Sequence, residues 1–219
     1  AVSFSSESPT QDNENNNNFK LLESIEAGVA NQAMLFNIHN MGYGFFEDYG
    51  VKPIAGRLFN EDFGSDKIVR IEEGDKDQIG RASVILNVAA LKKFGFKNPE
   101  QAIGKTLETN TAGGIHHLTI VGVIPNIYFR SIKYGIRASV YTFSPGRLRV
   151  ANISFSSNDI PELITKVERV WKNSVPMQPI NLQFLSEMMK AQYSDEMTTA
   201  QLFLVFSGLA IIIAGLGLY

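Results

Sequence analysis

Apolar residues recur at every second position in several short stretches of this chain, and each such stretch predicts a strand. Val2 to Ser6 alternates in this way. So does Ala33 to Asn40, where Met34, Phe36 and Ile38 share one face of a half-buried strand. Ser83-Val-Ile-Leu-Asn87 is a compact apolar run of strand length. Lys105 to Thr109 and His116 to Ile124 predict two further strands, joined by a loop that contains Gly113-Gly114. Arg137 to Phe143 and Leu148 to Phe155 predict two more around the turn Ser144-Pro145-Gly146, and Ile180 to Phe184 predicts the last.

Elsewhere the pattern is helical. Phe45 to Tyr49 suits one turn closed by Gly50, and Val88 to Phe94 suits a short helix with Gly95 at C′. Asn98-Pro99-Glu100 opens another turn, with proline in its favoured first-turn place. Asp159-Ile-Pro-Glu162 combines a capping residue, an early proline and a glutamate three positions on. Ile160, Leu163, Ile164, Val167, Val170 and Trp171 then form one apolar stripe, until Pro176 and Pro179 break the helix. Two polar stretches separate these elements. Glu7 to Asn18, with its run of asparagines, predicts an exposed mobile loop, because it has too little to bury to offset its ordering entropy. Glu61 to Gln78, charged and punctuated by glycine, predicts a solvated one.

From Ser186 a polar helix runs without a breaker into Leu202 to Tyr219, a stretch with no charged residue. A surface helix normally keeps one polar side, whereas this one is apolar on every face. Crossing a hydrocarbon core takes about 20 apolar residues. The stretch is therefore expected to be the first part of a transmembrane helix tethering a water-soluble domain. Its length also suits a buried hairpin or core helix, which is the alternative. On the first reading the chain begins inside a strand and ends inside a membrane helix.

Composition narrows the function classes. The 219 residues suffice for one large domain or two small ones, each with a sizeable core. A formal net charge of −2 argues against a dedicated nucleic-acid binder. With no cysteine, disulfide frameworks and thiolate zinc sites are excluded. The opening Ala1-Val-Ser-Phe-Ser-Ser lacks the basic start and apolar run of a signal peptide.

Catalytic motifs are equally sparse. Gly104-Lys105-Thr106 ends like a phosphate-binding P-loop, but the full motif needs glycine at position 99, where Pro99 stands. The residues after it also read as a strand, whereas a P-loop feeds a helix. His116 and His117 are adjacent on a strand and so point to opposite faces, which suits a solvent-edge pair and not a chelate. Neither these nor His39 lies in a His-Glu-x-x-His motif, and no Gly-x-Ser-x-Gly elbow occurs. Glu72-Glu73-Gly-Asp75-Lys-Asp77 lacks the ligand spacing of a calcium loop. One pattern is more pointed: 126–150 has no acid but carries Arg130, Lys133, Arg137, Arg147 and Arg149 interleaved with Tyr128, Phe129, Tyr134, Tyr141 and Phe143. Such a surface suits nucleic-acid stacking, lipid headgroups or an acidic partner, and equally strands with basic outer faces. No catalytic, cofactor or metal residue is assigned, and the chain is not expected to be an enzyme.

Four blocks in a fixed order carry a family resemblance. Gly44-Phe-Phe-Glu-Asp-Tyr-Gly-Val-Lys-Pro-Ile-Ala-Gly-Arg-Leu-Phe59 resembles the opening of the inserted subdomain of MacB/FtsX-like ABC transporter permeases. Val84-Ile-Leu-Asn87, Ala89-Ala-Leu-Lys-Lys-Phe-Gly95 and Asn98-Pro-Glu-Gln-Ala-Ile-Gly-Lys105 resemble the next block, and Thr119-Ile-Val-Gly-Val-Ile-Pro-Asn126 with Tyr128-Phe129 and Ser131-Ile132 the third. The ending, Phe203 to Tyr219 after a polar helix, is similar to that family's second transmembrane helix.

The resemblance implies an α+β fold. A porter-like βαβ subdomain would form from two chain segments, 1–48 and 146–185, around an inserted mixed α/β subdomain at 49–145. A stalk helix at 186–201 would run into a transmembrane helix at 202–219. It further implies an extracytoplasmic domain of an inner (cytoplasmic) membrane permease that transmits ATPase-driven conformational change for export or extrusion. The implied partners are a cytoplasmic ABC ATPase, the membrane, a periplasmic partner protein and a second permease in a homodimer or heterodimer, with no nucleic acid and no cofactor. A membrane-anchored extracytoplasmic sensor or adaptor without a transport role is the alternative.

Overall fold

The computed structural model describes residues 1–11, 15–22, 32–72, 78–128, 135–156 and 159–217, with the side chains of 192–198 and 200 left aside. The chain forms two compact units, Ala1–Ser156 and Ser157–Tyr219, and each is described by itself.

The first unit contains strands β1 (Val2–Ser5), β2 (Asn16–Leu21), β3 (Met34–Asn40), β4 (Ala55–Gly56), β5 (Gly80–Asn87), β6 (Thr106–Thr111), β7 (Gly114–Ile124), β8 (Ser139–Thr142) and β9 (Val150–Ile153). Its helices are the short α1 (Phe45–Asp48) and α2 (Val88–Lys93). Seven strands hydrogen-bond in the order β4-β7-β5-β8-β3-β2-β6, and β6 then returns to pair with β7. That return closes β7-β5-β8-β3-β2-β6 into a ring, a small mixed barrel with β4 attached to its wall. The pairs β5–β7 and β3–β8 are parallel and the other ladders antiparallel. The long strand β7 makes the closure possible. One of its edges is taken by β5 (Gly80↔His116 to Asn87↔Ile124), while the other is divided between β6 (Thr106↔Thr119 to Thr111↔Gly114) and β4 (Ala55↔Val123).

Alternation along the strands fills the ring. Phe19 and Leu21, Phe36 and Ile38, Val84 and Leu86, Leu107, Leu118 and Ile120, and Val140 belong to one buried cluster. The intervening residues Ile85 and Tyr141 join Met41, Phe45, Phe46, Phe59, Ile124 and Phe143 in a second cluster around α1. Strands β5 and β8 are therefore buried on both faces, which is why Ser83 to Asn87 reads as a continuous apolar run. Strand β3 is buried on both faces from Phe36 to Asn40, so the strand expected to be half-buried is exposed only at its start, Met34 and Leu35.

Local chemistry sets the turns. Ala112 and Gly113 both have positive φ, 47° and 94°, which is the two-residue I′-type hairpin connection between β6 and β7. Glycine is required at the second position, since a Cβ on Gly113 would stand 2.4 Å from the Ile71 carbonyl oxygen. Asn87 caps α2 by accepting from the Ala90 amide at 2.8 Å, and Gly95 closes it with φ 85°.

Three expectations change. The asparagine run is not all loop: Asn16, Asn17 and Asn18 are the first half of β2. Asn17 donates to Thr109 Oγ1 and to the Asn110 carbonyl, and the strand is drawn in by Phe19 and Leu21, both fully buried. The charged stretch 61–78 is not simply solvated, because Asp66, Ile68 and Ile71 are buried. In the second unit, 180–184 lies in no strand. That unit consists of α3 (Ile160–Ser174), capped by Asp159 accepting from the Glu162 amide at 2.9 Å, and α4 (Leu185–Gly217). No residue of α3 is buried, so its apolar stripe stays accessible.

Strand β1 stands apart from the barrel sheet and pairs with β9, Val2↔Ile153 to Ser5↔Val150. This ladder joins the chain's first segment to the stretch after the barrel.

Candidate functional site

The element most distinctive for function is α4. It is one unbroken helix of 33 residues, about 50 Å long at a rise of about 1.5 Å per residue. The continuity expected between the polar and apolar segments is present. Beyond Gln201 its side chains are apolar and exposed around the whole circumference, with Phe203 at 68%, Leu204 at 74%, Ile211 at 72% and Leu216 at 74%. Among the described residues, no helix is long and apolar enough to cross a membrane. The apolar part described, 202–217, falls short of the about 20 residues that a hydrocarbon core requires.

The histidines divide into three environments. His39 is buried on the outer face of β3, where its Nδ1 contacts the buried Glu7 carboxylate and Asn37 Nδ2 donates to its Nε2 at 3.2 Å. The Tyr141 ring stacks on it at 5.4 Å between centroids. This network ties the segment after β1 to the barrel wall. Ser5 Oγ donates to the Glu7 carbonyl and accepts from Asn152 Nδ2, which extends the network to β9. His116 and His117 do point to opposite faces, but they are not a solvent-edge pair. His117 lies partly exposed 3.3 Å from Glu108, while His116 is fully buried between the Gly114 and Val69 carbonyls. No three His, Asp or Glu side chains converge among the described residues.

Asp66 was hidden from sequence reasoning because it lies in a charged stretch. Its carboxylate is fully buried and receives both guanidinium nitrogens of Arg57, at 2.6 and 2.7 Å, and the Asn60 amide at 3.1 Å. The guanidinium also lies 3.7 Å from the Phe63 ring centroid. This is a structural clamp on the 57–66 loop. Removing Arg57 leaves the buried Asp66 carboxylate without its ion partner, so Arg57→Ala is expected to lower stability by about 3 kcal/mol, read from the urea midpoint. A loss below about 1 kcal/mol would show the clamp to be a surface pair.

The remaining sequence candidates are placed as follows. Gly104 turns with φ 84° and Thr106 begins β6, so Gly104-Lys105-Thr106 precedes a strand and offers no helix N-terminus. Of the basic-aromatic stretch, Tyr141 and Phe143 are core residues, which removes them from any stacking surface. Arg147 and Arg149 are exposed, and 129–134 lies outside the described residues, as does 73–77 of the acidic stretch. The phenols of Tyr43 and Tyr49 are pushed above their ordinary value, chiefly by burial, which keeps them protonated and suits no acid–base role near neutrality.

No family model matches the sequence, and no curated protein matches it either. Among solved structures, a domain of an inferred permease protein from Porphyromonas gingivalis matches with a TM-score of 0.50 and 14% identity, covering 88% of this chain and 82% of that one. The chain has the fold of that permease domain. The periplasmic region of MacB from Actinobacillus actinomycetemcomitans aligns with a TM-score of 0.43 at 16% identity, over 80% of this chain and 66% of that one. The extracellular domain of the ABC-type transporter YknZ from Gram-positive bacteria aligns with a TM-score of 0.47 at 13% identity, over 81% and 76%.

Proposed function

We propose that this chain is the extracytoplasmic domain of an ABC transporter permease of the inner membrane, transmitting conformational change driven by a cytoplasmic ATPase to export or extrude substrate. The observation that carries the proposal is α4, whose polar half continues without a break into a half that is apolar on all sides. Exposed apolar surface on this scale needs a non-aqueous environment or a partner, and a helix apolar all round suits lipid. In this reading 202–219 is the start of a transmembrane helix and 186–201 a rigid stalk between bilayer and domain. The β1–β9 ladder, which joins 2–5 to 150–153, supports a part built from two separated chain segments, while β2 and β3 belong with 80–142 in the barrel. A second permease subunit and a periplasmic partner complete the assembly.

The stalk carries the test. A Pro-Gly pair at 189–190 interrupts the helical hydrogen bonds by which a rigid rod passes a displacement on. In the intact transporter it is expected to reduce transport at least about tenfold, while ATPase assembly and the amount of protein in the membrane stay unchanged. Undiminished transport with a broken stalk would refute transmission along α4, and membrane attachment without any associated ATPase would favour the sensor or adaptor reading.

A further inference from the structure

At one end of the barrel β3, β6 and β8 finish while β5 and β7 begin. A cleft of about 10 Å³ lies at this mouth, with room for roughly one water-sized group. Part of its wall is apolar and buried: Phe19, Ile38, Ile68 and Leu118. Barrel mouths recur as places for small ligands, and the polar part of the wall decides which kind this one suits.

That part is rich in donors. Asn40 lines the cleft and is only 3% exposed. Its Oδ1 accepts from Thr142 Oγ1 at 2.9 Å, whereas its Nδ2 has no partner among the described residues. A buried amide hydrogen left unreceived costs free energy, which an acceptor entering the cleft would recover. Thr109 Oγ1 is already engaged, donating to Asn18 O at 2.8 Å and accepting from Asn17 Nδ2 at 3.1 Å. The half-buried hydroxyls of Thr111 and Ser144 and the exposed guanidinium of Arg147 also line the cleft, and none of them is engaged among the described residues. The Arg147 backbone is held in place, its amide donating to Ser144 O at 2.9 Å. No acidic side chain lines the cleft among the described residues. The buried carboxylates of Glu7 and Asp66 are held by His39 and Arg57.

We propose that this mouth is a carboxylate-binding site, in which Arg147 pairs with the anion while Asn40, Thr111 and Ser144 donate to the oxygen that enters. Three features select the ligand. One cation among neutral donors balances a single negative charge, not the roughly two of a phosphate monoester. The apolar wall penalises any charge left over. The small volume admits one oxygen-sized group, so a flat carboxylate places one oxygen inside and keeps the other beside the guanidinium. Two sources carry such a group, a free short-chain acid and the C-terminus of a peptide. The inference concerns the barrel alone and stands or falls independently of the transport reading.

The test is an NMR titration of the full chain in detergent micelles with sodium acetate, against sodium chloride at matched ionic strength. Saturable shifts of the Asn40 side-chain amide and of the Thr111 and Ser144 backbone amides are expected with acetate and not with chloride. Arg147→Gln changes an exposed side chain, so it should leave the fold intact and weaken acetate binding at least about tenfold. Thr111→Val removes one hydroxyl and should weaken it about fivefold. N-acetyl-dialanine and its C-terminal amide separate the sources. Tighter binding of the peptide acid than of acetate assigns the site to a chain end, and the reverse assigns it to a free acid. Shifts that are equal with chloride (an adventitious ion only), or that saturate with neither acid, would overturn the proposal. So would undiminished acetate binding in Arg147→Gln, or an amide that binds as tightly as its acid.

Discussion

Phe36→Ala is expected to cost about 4 kcal/mol, the largest loss of any single truncation in the barrel. The ring is 1% exposed and stacks on Phe94 at 4.2 Å between centroids, with Phe19 edge-on at 5.9 Å. Lys93 Nζ lies 4.9 Å from the centroid while donating to the Leu35 carbonyl. The substitution therefore removes transfer energy, two aromatic contacts and a cation–π contact, and leaves a void that a closed ring of strands cannot collapse to fill. A urea titration should show a lowered midpoint with an unchanged slope. A loss below about 1.5 kcal/mol would mean that the barrel wall can move inward, contrary to its closure.

The second large effect lies in the other unit. Ile212→Asp places a charge in the middle of the apolar half of α4, at a side chain 61% exposed. If that half resides in lipid, the substitution costs about 3 to 4 kcal/mol of insertion, or a hundredfold or more in membrane partitioning. Lys190→Asp, in the polar half, should leave partitioning unchanged. Flotation with liposomes separates the two variants. If Ile212→Asp floats like the parent chain, the apolar half is covered by protein and not by lipid.

Much of this architecture is legible in the sequence wherever the signal is local. The cap at Asp159, the capped helix Val88–Lys93, the hairpin turn before Gly114 and the long strand ending at Ile124 follow from turn chemistry and from apolar runs within one element. What is not legible depends on partners distant in the chain. Nothing in Asn16 to Asn18 marks a strand until Thr109 and Asn110 are seen to receive Asn17. Ile68 and Ile71 look like isolated apolar residues in a charged loop until the barrel end they cover exists. Barrel closure is the extreme case, since it rests on β7 pairing with β5 on one edge and with β6 on the other. The candidate site divides along the same line. The apolar end of α4 is plain in its composition, whereas the burial of His39 and His116 with their partners arises only from tertiary packing.

The β1–β9 ladder has a mechanical consequence. Ala1 and Ser154 exchange hydrogen bonds, the Ala1 nitrogen donating to Ser154 O at 2.8 Å and the Ser154 amide to Ala1 O at 3.0 Å. Residue 1 and the chain leaving β9 therefore sit side by side at the same end of the ladder. Tension drawing those two points apart loads one rung at a time, beginning with Val2↔Ile153 and finishing at Ser5↔Val150. It peels the pair like a zipper, which needs far less force than shearing every rung together. The pull reaches the rest of the unit at Asn152, whose Oδ1 accepts from the Tyr49 hydroxyl at 3.3 Å, at Phe4, whose carbonyl accepts from the Gly42 amide at 2.7 Å, and at Ser5, which bridges Met41. The outermost rung thus opens before the closed ring is strained.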